Sequence, residues 1–337
     1  MGNSILNKAK YSKSNTDEWY TTYETVEKEL SNYMPQFKNK IVLCNCDDPY
    51  ESSFSKYFLN NFNKLELKKL ICISYGKSKM HSSDCDRGLV LEIDHLPDSL
   101  YGEEIEPYII EPYIKENNFV KKLLGDGDFR SEESIKYLIE SDIVVTNPPF
   151  SKFIELFSLI SQYNKKYLLI SNQNAITYKE IFPYIKMNQA KIGYHFGDMQ
   201  FKVPADTEPR KTRFWIDESG QKWRSIGNAM WLTNLDINKN INQLILKHKY
   251  VEGKYPKYDN FDAIHISKVS EIPYDYDGIM GVPITFLKYY DEKSYEIIGE
   301  ANHGSDNEFD LFKPVINGKE TFKRILIRKR KRESYEI

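Results

Sequence analysis

Cysteine is scarce: the 337 residues hold four, at 44, 46, 72 and 85, too few for a disulfide framework in a chain this size. Cys44-x-Cys46 lacks the two-residue gap of a zinc knuckle, and the six histidines show no ligand spacing, so no metal is expected. The cysteines read as small buried hydrophobes. No apolar run approaches the ~20 residues that span a bilayer, and the first residues lack a signal-peptide core, so a cytoplasmic protein without membrane contact is expected. An excess of one charge is missing too: 47 basic against 49 acidic residues leave a net charge of −2, which excludes an evenly basic nucleic-acid-binding chain. Distribution matters more than the total. Lys8, Lys10 and Lys13 precede the first acid, and Arg324, Arg328, Lys329, Arg330, Lys331 and Arg332 lie near the C-terminus, runs that suit solvated tails or phosphate contact.

What the chain has in quantity is aromatic: 25 Tyr and 18 Phe suit either surfaces that stack on planar ligands or a Tyr-rich core and rim. From Lys40 to about Phe196, short apolar runs alternate with helical periodicity. The runs Ile41–Cys46, Leu70–Ser74, Ile143–Thr146, Tyr167–Ser171 and Ile192–Phe196 are near-continuous rather than alternating, as in parallel strands covered on both faces. Ser131 is placed to cap a helix through Glu140, and Ser151 to cap another reaching about Tyr163. The pattern predicts an α/β fold built on a doubly wound sheet, whose ligands sit beyond the carboxyl ends of the strands. Residues 1–196 read as the core, with an irregular insertion at 76–118. Residues 197–275 read as a separate loop-rich region, and 276–337 as a return to packed structure ending in a basic tail.

The most specific signal is Asp142-Ile-Val-Val-Thr-Asn-Pro-Pro-Phe150. An apolar strand ends in Asn147-Pro148-Pro149-Phe150, and two prolines cannot continue a ladder, so the chain turns where the sheet meets its cleft. An amino group on an aromatic ring is a poor nucleophile because its lone pair is delocalised. The Asn147 side-chain oxygen and the Pro148 main-chain oxygen can accept its two hydrogens, while Phe150 stacks on the ring. The same tetrapeptide also suits a plain turn.

The blocks Lys13-Ser14 with Asp17-Glu18-Trp19-Tyr20-Thr21, Cys44 to Pro49, Gly125 to Ser131, Asp142 to Phe150, Ile176 to Glu180, Trp231 to Asp236, Tyr255 to Asn260 and Gly278 to Leu287 resemble, in order and over nearly the whole chain, the adenine-specific DNA methyltransferases of the EcoRI type. This resemblance implies a class I S-adenosylmethionine-dependent methyltransferase fold, Rossmann-like, with S-adenosyl-L-methionine as cofactor and no metal. It further implies transfer to the exocyclic amino group of an adenine flipped out of double-stranded DNA, in restriction–modification, by a monomer. On the cofactor side, Asn45, Asp47 and Asp48 follow the first strand, where carboxylates suit the methionine ammonium. Asp126 and Asp128 sit in a glycine-flanked loop, where Asp128 suits the cofactor adenine amine and Phe129 its ring. Tyr20 and Thr21 match the family's segment at the methionine end. Two departures stand out: the first loop lacks the usual glycine-rich run, and Leu70–Ser74 has no acid at its end for the ribose hydroxyls.

For DNA, the 197–275 region interleaves Phe201, Phe214, Trp215, Trp223 and Trp231 with Lys202, Arg210, Lys211, Arg213, Lys222 and Arg224, a mixture suited to phosphates and to the gap left by an extruded base. Acids at Asp206, Glu208, Asp217 and Glu218 dilute it. Two other readings stay open on sequence: an amino-group methyltransferase acting on RNA or protein glutamine, and an inactive DNA-binding relative.

Overall fold

A computed structural model describes residues 19–78, 86–101, 110–238, 244–301 and 313–330. Lys8, Lys10, Lys13, Cys85, Lys331 and Arg332 lie outside them. The chain divides into two units, Met1–Asn172 with Gly193–Asp236, and Gln173–Ile192 with Ile237–Ile337. No helix among the described residues is long and apolar enough to cross a membrane.

The main sheet has ten strands: β1 (Tyr20–Thr21), β2 (Ile41–Cys44), β3 (Lys69–Ile73), β4 (Leu89–Ile93), β5 (Val120–Lys122), β6 (Ile143–Thr146), β7 (Lys166–Asn172), β8 (Lys191–Lys202), β9 (Phe214–Ile216) and β10 (Lys222–Thr233). Their spatial order is β1-β8-β10-β7-β6-β2-β3-β4-β5, with β9 on β10. The pairs β2–β3, β2–β6 and β6–β7 are parallel, and antiparallel strands flank them. Continuous apolar sequence explains the centre: every residue of β2 and β6 is buried, so both faces are covered. The strand order reverses between β2 and β6, which opens a crevice beyond their carboxyl ends.

Helices alternate with the strands: α1 (Tyr23–Leu30), α2 (Ser53–Asn60), α3 (Ile110–Glu116), α4 (Glu132–Glu140), α5 (Phe153–Gln162) and α6 (Phe182–Lys186). Ser131 caps α4 as expected, accepting from the Ser134 amide at 3.1 Å. Ser151 does not cap α5. Pro149 instead leads into a 3-10 turn, Phe150–Lys152, and Lys152 holds the N-cap position without a side-chain bond. The 76–118 insertion contributes β4 and α3, so it is less irregular than its composition suggests.

The sequence reading placed a domain boundary at 196/197, which falls inside β8, and β10 crosses the supposed loop-rich region to pair with β7. The reason is tertiary. Glu29 of α1 is fully buried and accepts from the Tyr194 and His195 amides of β8 at 2.8 Å each, from the Tyr33 hydroxyl at 2.9 Å, and bonds His195 Nδ1 at 2.8 Å. Gly193 makes this approach possible, because a Cβ there would collide with the Glu29 carboxyl and the Trp231 side chain.

The second unit holds β11 (Ile264–His265), β12 (Met280–Val282), β13 (Tyr295–Ala301), β14 (Val315–Ile316), β15 (Lys319–Glu320) and β16 (Arg324–Lys329). Four of them form a sheet in the order β11-β12-β16-β13, around Ile264, Met280, Val282, Phe286, Ile325 and Ile327. The expected basic tail is therefore a strand from 324 to 329: Arg324, Ile325, Leu326 and Ile327 are buried, and the exposed Arg328 pairs with Glu296 at 2.8 Å. Glu29→Ala should lower unfolding free energy by about 3 kcal/mol or more, because it strips acceptors from several buried donors at once. Urea denaturation checks this, and a change below ~1 kcal/mol would show that the clamp is dispensable.

Candidate active site

The crevice is a cleft in the first unit with a cavity volume of ≈ 230 Å³. A single water occupies about 30 Å³, so this is space for a ligand rather than a packing void. Three segments wall it. Asn45 to Asp48 leave the end of β2, Gly127 to Arg130 come from the loop before α4, and Asn147 to Phe150 leave the end of β6, with Trp19 to Thr21 beside them.

The β6 segment is the most constrained. Asn147 Nδ2 donates to the Trp19 carbonyl at 2.5 Å and to Thr21 Oγ1 at 3.2 Å. Its Oδ1 is buried and has no hydrogen-bond partner among the described residues. A buried acceptor left unpaired costs about 1–3 kcal/mol, so it marks a group kept for something absent from the folded chain alone. Phe150 lies edge-on to Trp19 (5.8 Å, 79°) and to Phe201 (6.4 Å, 87°). Pro148 and Pro149 line the same wall.

At the end of β2, Asn45 and Asp47 are buried, and hydroxyls of Ser52 (2.7 Å) and Thr146 (2.5 Å) each hold one oxygen of Asp47. Burial dominates those hydroxyls and pushes the Asp47 carboxyl up to about 7. Burial likewise raises the half-buried Cys46 thiol, and Cys44 and Cys72 are buried in the core. Asp48 does a turn's work: its Oδ1 accepts from the Tyr50 and Glu51 amides at 2.8 and 3.0 Å.

Gly127 lets the third wall close. Its φ is +79°, and a Cβ there would collide with the Ser74 carbonyl, so only glycine brings this loop against the end of β3. Phe129 is buried at the cleft, with the Arg130 guanidinium 5.6 Å from its ring centre. Asp128 is the least available of the expected cofactor ligands. Arg130 takes both its oxygens, at 2.9 and 2.5 Å, and holds its carboxyl below the ordinary range. Asp126 is not among the lining residues; its carboxyl accepts the Asp128 amide and pairs with Lys77 at 3.6 Å. Sequence reasoning missed Ser74, Tyr75 and Ser78, which line the cleft past the end of β3, and Tyr20 reaches Ser78 through its hydroxyl at 3.0 Å. The usable signal was position alone, the residues directly after an apolar run.

Among the residues expected to meet DNA, exposure varies. Lys202, Arg210 and Lys211 are exposed. Trp215 and Trp223 stack on the β9–β10 hairpin (6.1 Å, 4°), with Lys202 5.7 Å above Trp223 and the Trp223 Nε1 donating to Asp217 at 2.7 Å. Arg213 pairs with Asp198. Arg224 departs from expectation: it is 2% exposed, donates to the Glu208 carbonyl at 3.0 Å and lies 5.5 Å over the Trp19 ring, because its place on β10 points it inward. Phe201 and Trp231 are fully buried core rings.

A doubly wound sheet whose switch-point cleft is walled by an Asn-Pro-Pro-Phe turn defines a class I methyltransferase. The family described as "Adenine-specific methyltransferase EcoRI" matches residues 5–331. The chain is 45% identical over 336 residues to the Type II methyltransferase M.EcoRI of Escherichia coli, covering 98% of this chain and 97% of that one. It is 36% identical over 302 residues to M.MgeORF184P of Mycoplasma genitalium, covering 87% and 85%, and 36% identical to M.MpnI of Mycoplasma pneumoniae, covering 87% and 84%; both are Type II methyltransferases. The chain belongs to the EcoRI family of adenine-specific methyltransferases.

A cationic ligand that pairs with Asp47 needs the ionised carboxyl, whose pKa is raised to about 7 in the free protein. Affinity for the methyl donor should therefore be flat above that pH and fall by up to about tenfold per unit below it. Asp47→Asn should bind more weakly and flatten the profile. Calorimetric titration across this range checks it, and a wild-type affinity that does not weaken on acidification would remove Asp47 from the site.

Proposed function

We propose that this enzyme methylates the exocyclic amino group of an adenine flipped out of double-stranded DNA, with S-adenosyl-L-methionine as donor, as the modification half of a restriction–modification pair. The observation that carries the reading is the Asn147 amide: its nitrogen is tied down behind, and its oxygen is a buried acceptor without a partner beside an aromatic ring. Membership in an adenine-specific family supports the target, and the Type II naming of the relatives supports DNA modification.

The cleft fits the cofactor in kind. Asp47 offers a carboxyl to the methionine ammonium, Phe129 a ring to the adenine, and Gly127 lets the loop that carries Phe129 close against the end of β3. Asp128, engaged by Arg130, would hold the adenine amine only through its remaining lone pairs. When bound, the cofactor supplies a methyl carbon on a sulfonium, whose sulfur leaves as a thioether while the amino nitrogen bonds carbon and sheds a proton.

The residues of the chain do the rest. Asn147 Oδ1 accepts one amino hydrogen of the target and the Pro148 carbonyl the other, which draws the nitrogen towards tetrahedral geometry and localises its lone pair. Phe150 stacks on the base, and stacking worth ~1–3 kcal/mol offsets part of the few kcal/mol that flipping costs. Lys202, Arg210, Lys211, Arg213 and the Trp215–Trp223 pair are the parts of the expected DNA surface that remain accessible. Asn147→Ala should leave cofactor affinity within a few-fold and lower turnover by about 10²–10³-fold, the usual effect of removing one preorganised hydrogen-bonding group. Wild-type turnover in that variant, followed by tritium transfer to unmethylated plasmid DNA, would take Asn147 out of the mechanism.

A further inference from the structure

An amide side chain is nearly symmetric in shape, so something must decide which end faces the substrate. For Asn147 the decision comes from far away in sequence, from the N-terminal strand. Its Nδ2 donates to the Trp19 carbonyl at 2.5 Å and to Thr21 Oγ1 at 3.2 Å, which uses both amino hydrogens. Turned over by 180°, the amide would set Oδ1 against the Trp19 carbonyl, acceptor against acceptor. That clash fixes the orientation with Oδ1 as the end left for a ligand, and Oδ1 is the atom that has no partner among the described residues.

The strand that makes this choice is itself held. Tyr20 and Thr21 pair with Lys202 and Phe201 of β8, and the Ser53 hydroxyl donates to the Thr21 carbonyl at 2.6 Å. The Trp19 indole is lodged edge-on against Phe150 and Phe201, with Arg224 over its face. This also gives the buried Arg224 a purpose that phosphate contact does not. Thr21 is buried at 7% exposure, so its hydroxyl is a placed group and not a solvated one.

We propose that Thr21 is a positioning residue for methyl transfer: with the Trp19 main chain it locks the Asn147 amide so that Oδ1 alone meets the substrate amino group. Thr21 was expected on the cofactor side by family resemblance, and the hydrogen bond assigns it to the target side. The inference rests on the reading of Asn147 as the acceptor, and the test keeps the two apart.

The test compares Thr21→Val, which keeps the β-branched shape and loses the hydroxyl, with Thr21→Ser, which keeps the hydroxyl, and with Asn147→Ala. Steady-state methylation of unmethylated plasmid DNA is measured with tritiated S-adenosylmethionine, and thermal melts confirm that each variant is folded. Thr21→Val should lower kcat by about tenfold, with KM for cofactor and for DNA within about twofold of wild type, and Thr21→Ser should keep kcat within about threefold. A folded Thr21→Val with wild-type kcat, beside a dead Asn147→Ala, overturns the proposal and leaves the acceptor reading intact. Equal losses in Val and Ser variants, or a loss confined to KM for the cofactor, also overturn it. Wild-type turnover in Asn147→Ala removes the acceptor reading and this inference together.

Discussion

A lone pair delocalised into a purine ring will not attack a methyl group until hydrogen bonds pull its nitrogen out of conjugation, and supplying that acceptor is the role proposed for Asn147. The acceptor has to be rigid, oriented and shielded from water that would occupy it. A fully buried parallel strand ending in two prolines meets the first requirement, because the chain can neither continue the ladder nor relax into a helix at Asn147. The contacts behind the amide meet the second, and the Trp19, Phe150 and Phe201 rings around it meet the third.

Those contacts depend on a chain of packing that runs across the sheet. β1 is two residues long and has no stability alone. It borrows rigidity from β8, which Glu29 fixes to α1 by accepting from two main-chain donors. A glycine at 193 admits the carboxyl, and Trp231 fills the space beside it. The opposite wall uses the same device, since Gly127 permits a backbone approach to Ser74 that closes the cleft on its cofactor side. Each of these two glycines stands singly at a point of close contact, Gly193 against Glu29 and Trp231 and Gly127 against the Ser74 carbonyl.

What could be read from sequence follows from how strongly each segment is constrained. Ile143–Thr146 and Tyr167–Ser171 were legible because strands covered on both faces must be apolar throughout, and the Ser131 cap was legible because its bond is local. The first part of β8 was legible as the run Ile192–Phe196, but its continuation to Lys202 and the whole of β10 were not. Each strand has a mixed burial pattern along its twelve residues, with no clean period to find, and the pairing that makes them strands joins distant segments. Arg224 shows the same limit at one residue, since a basic side chain among aromatics reads as surface until the strand direction turns it inward. The turn at Asn147 was recoverable from its prolines, whereas the hold that Trp19 and Thr21 exert on its amide crosses more than a hundred residues. The engagement of the Asp128 carboxylate by Arg130, two positions along, was not read from the sequence either.

The account stands or falls on adenine amino groups in DNA being the target. Expressing the chain in a host that lacks adenine methylation and sequencing the genomic DNA for N6-methyladenine tests it directly. The account predicts the modified base at one recurring sequence context across the genome. Unmodified adenines throughout, from cells holding folded protein that binds S-adenosylmethionine, would contradict it.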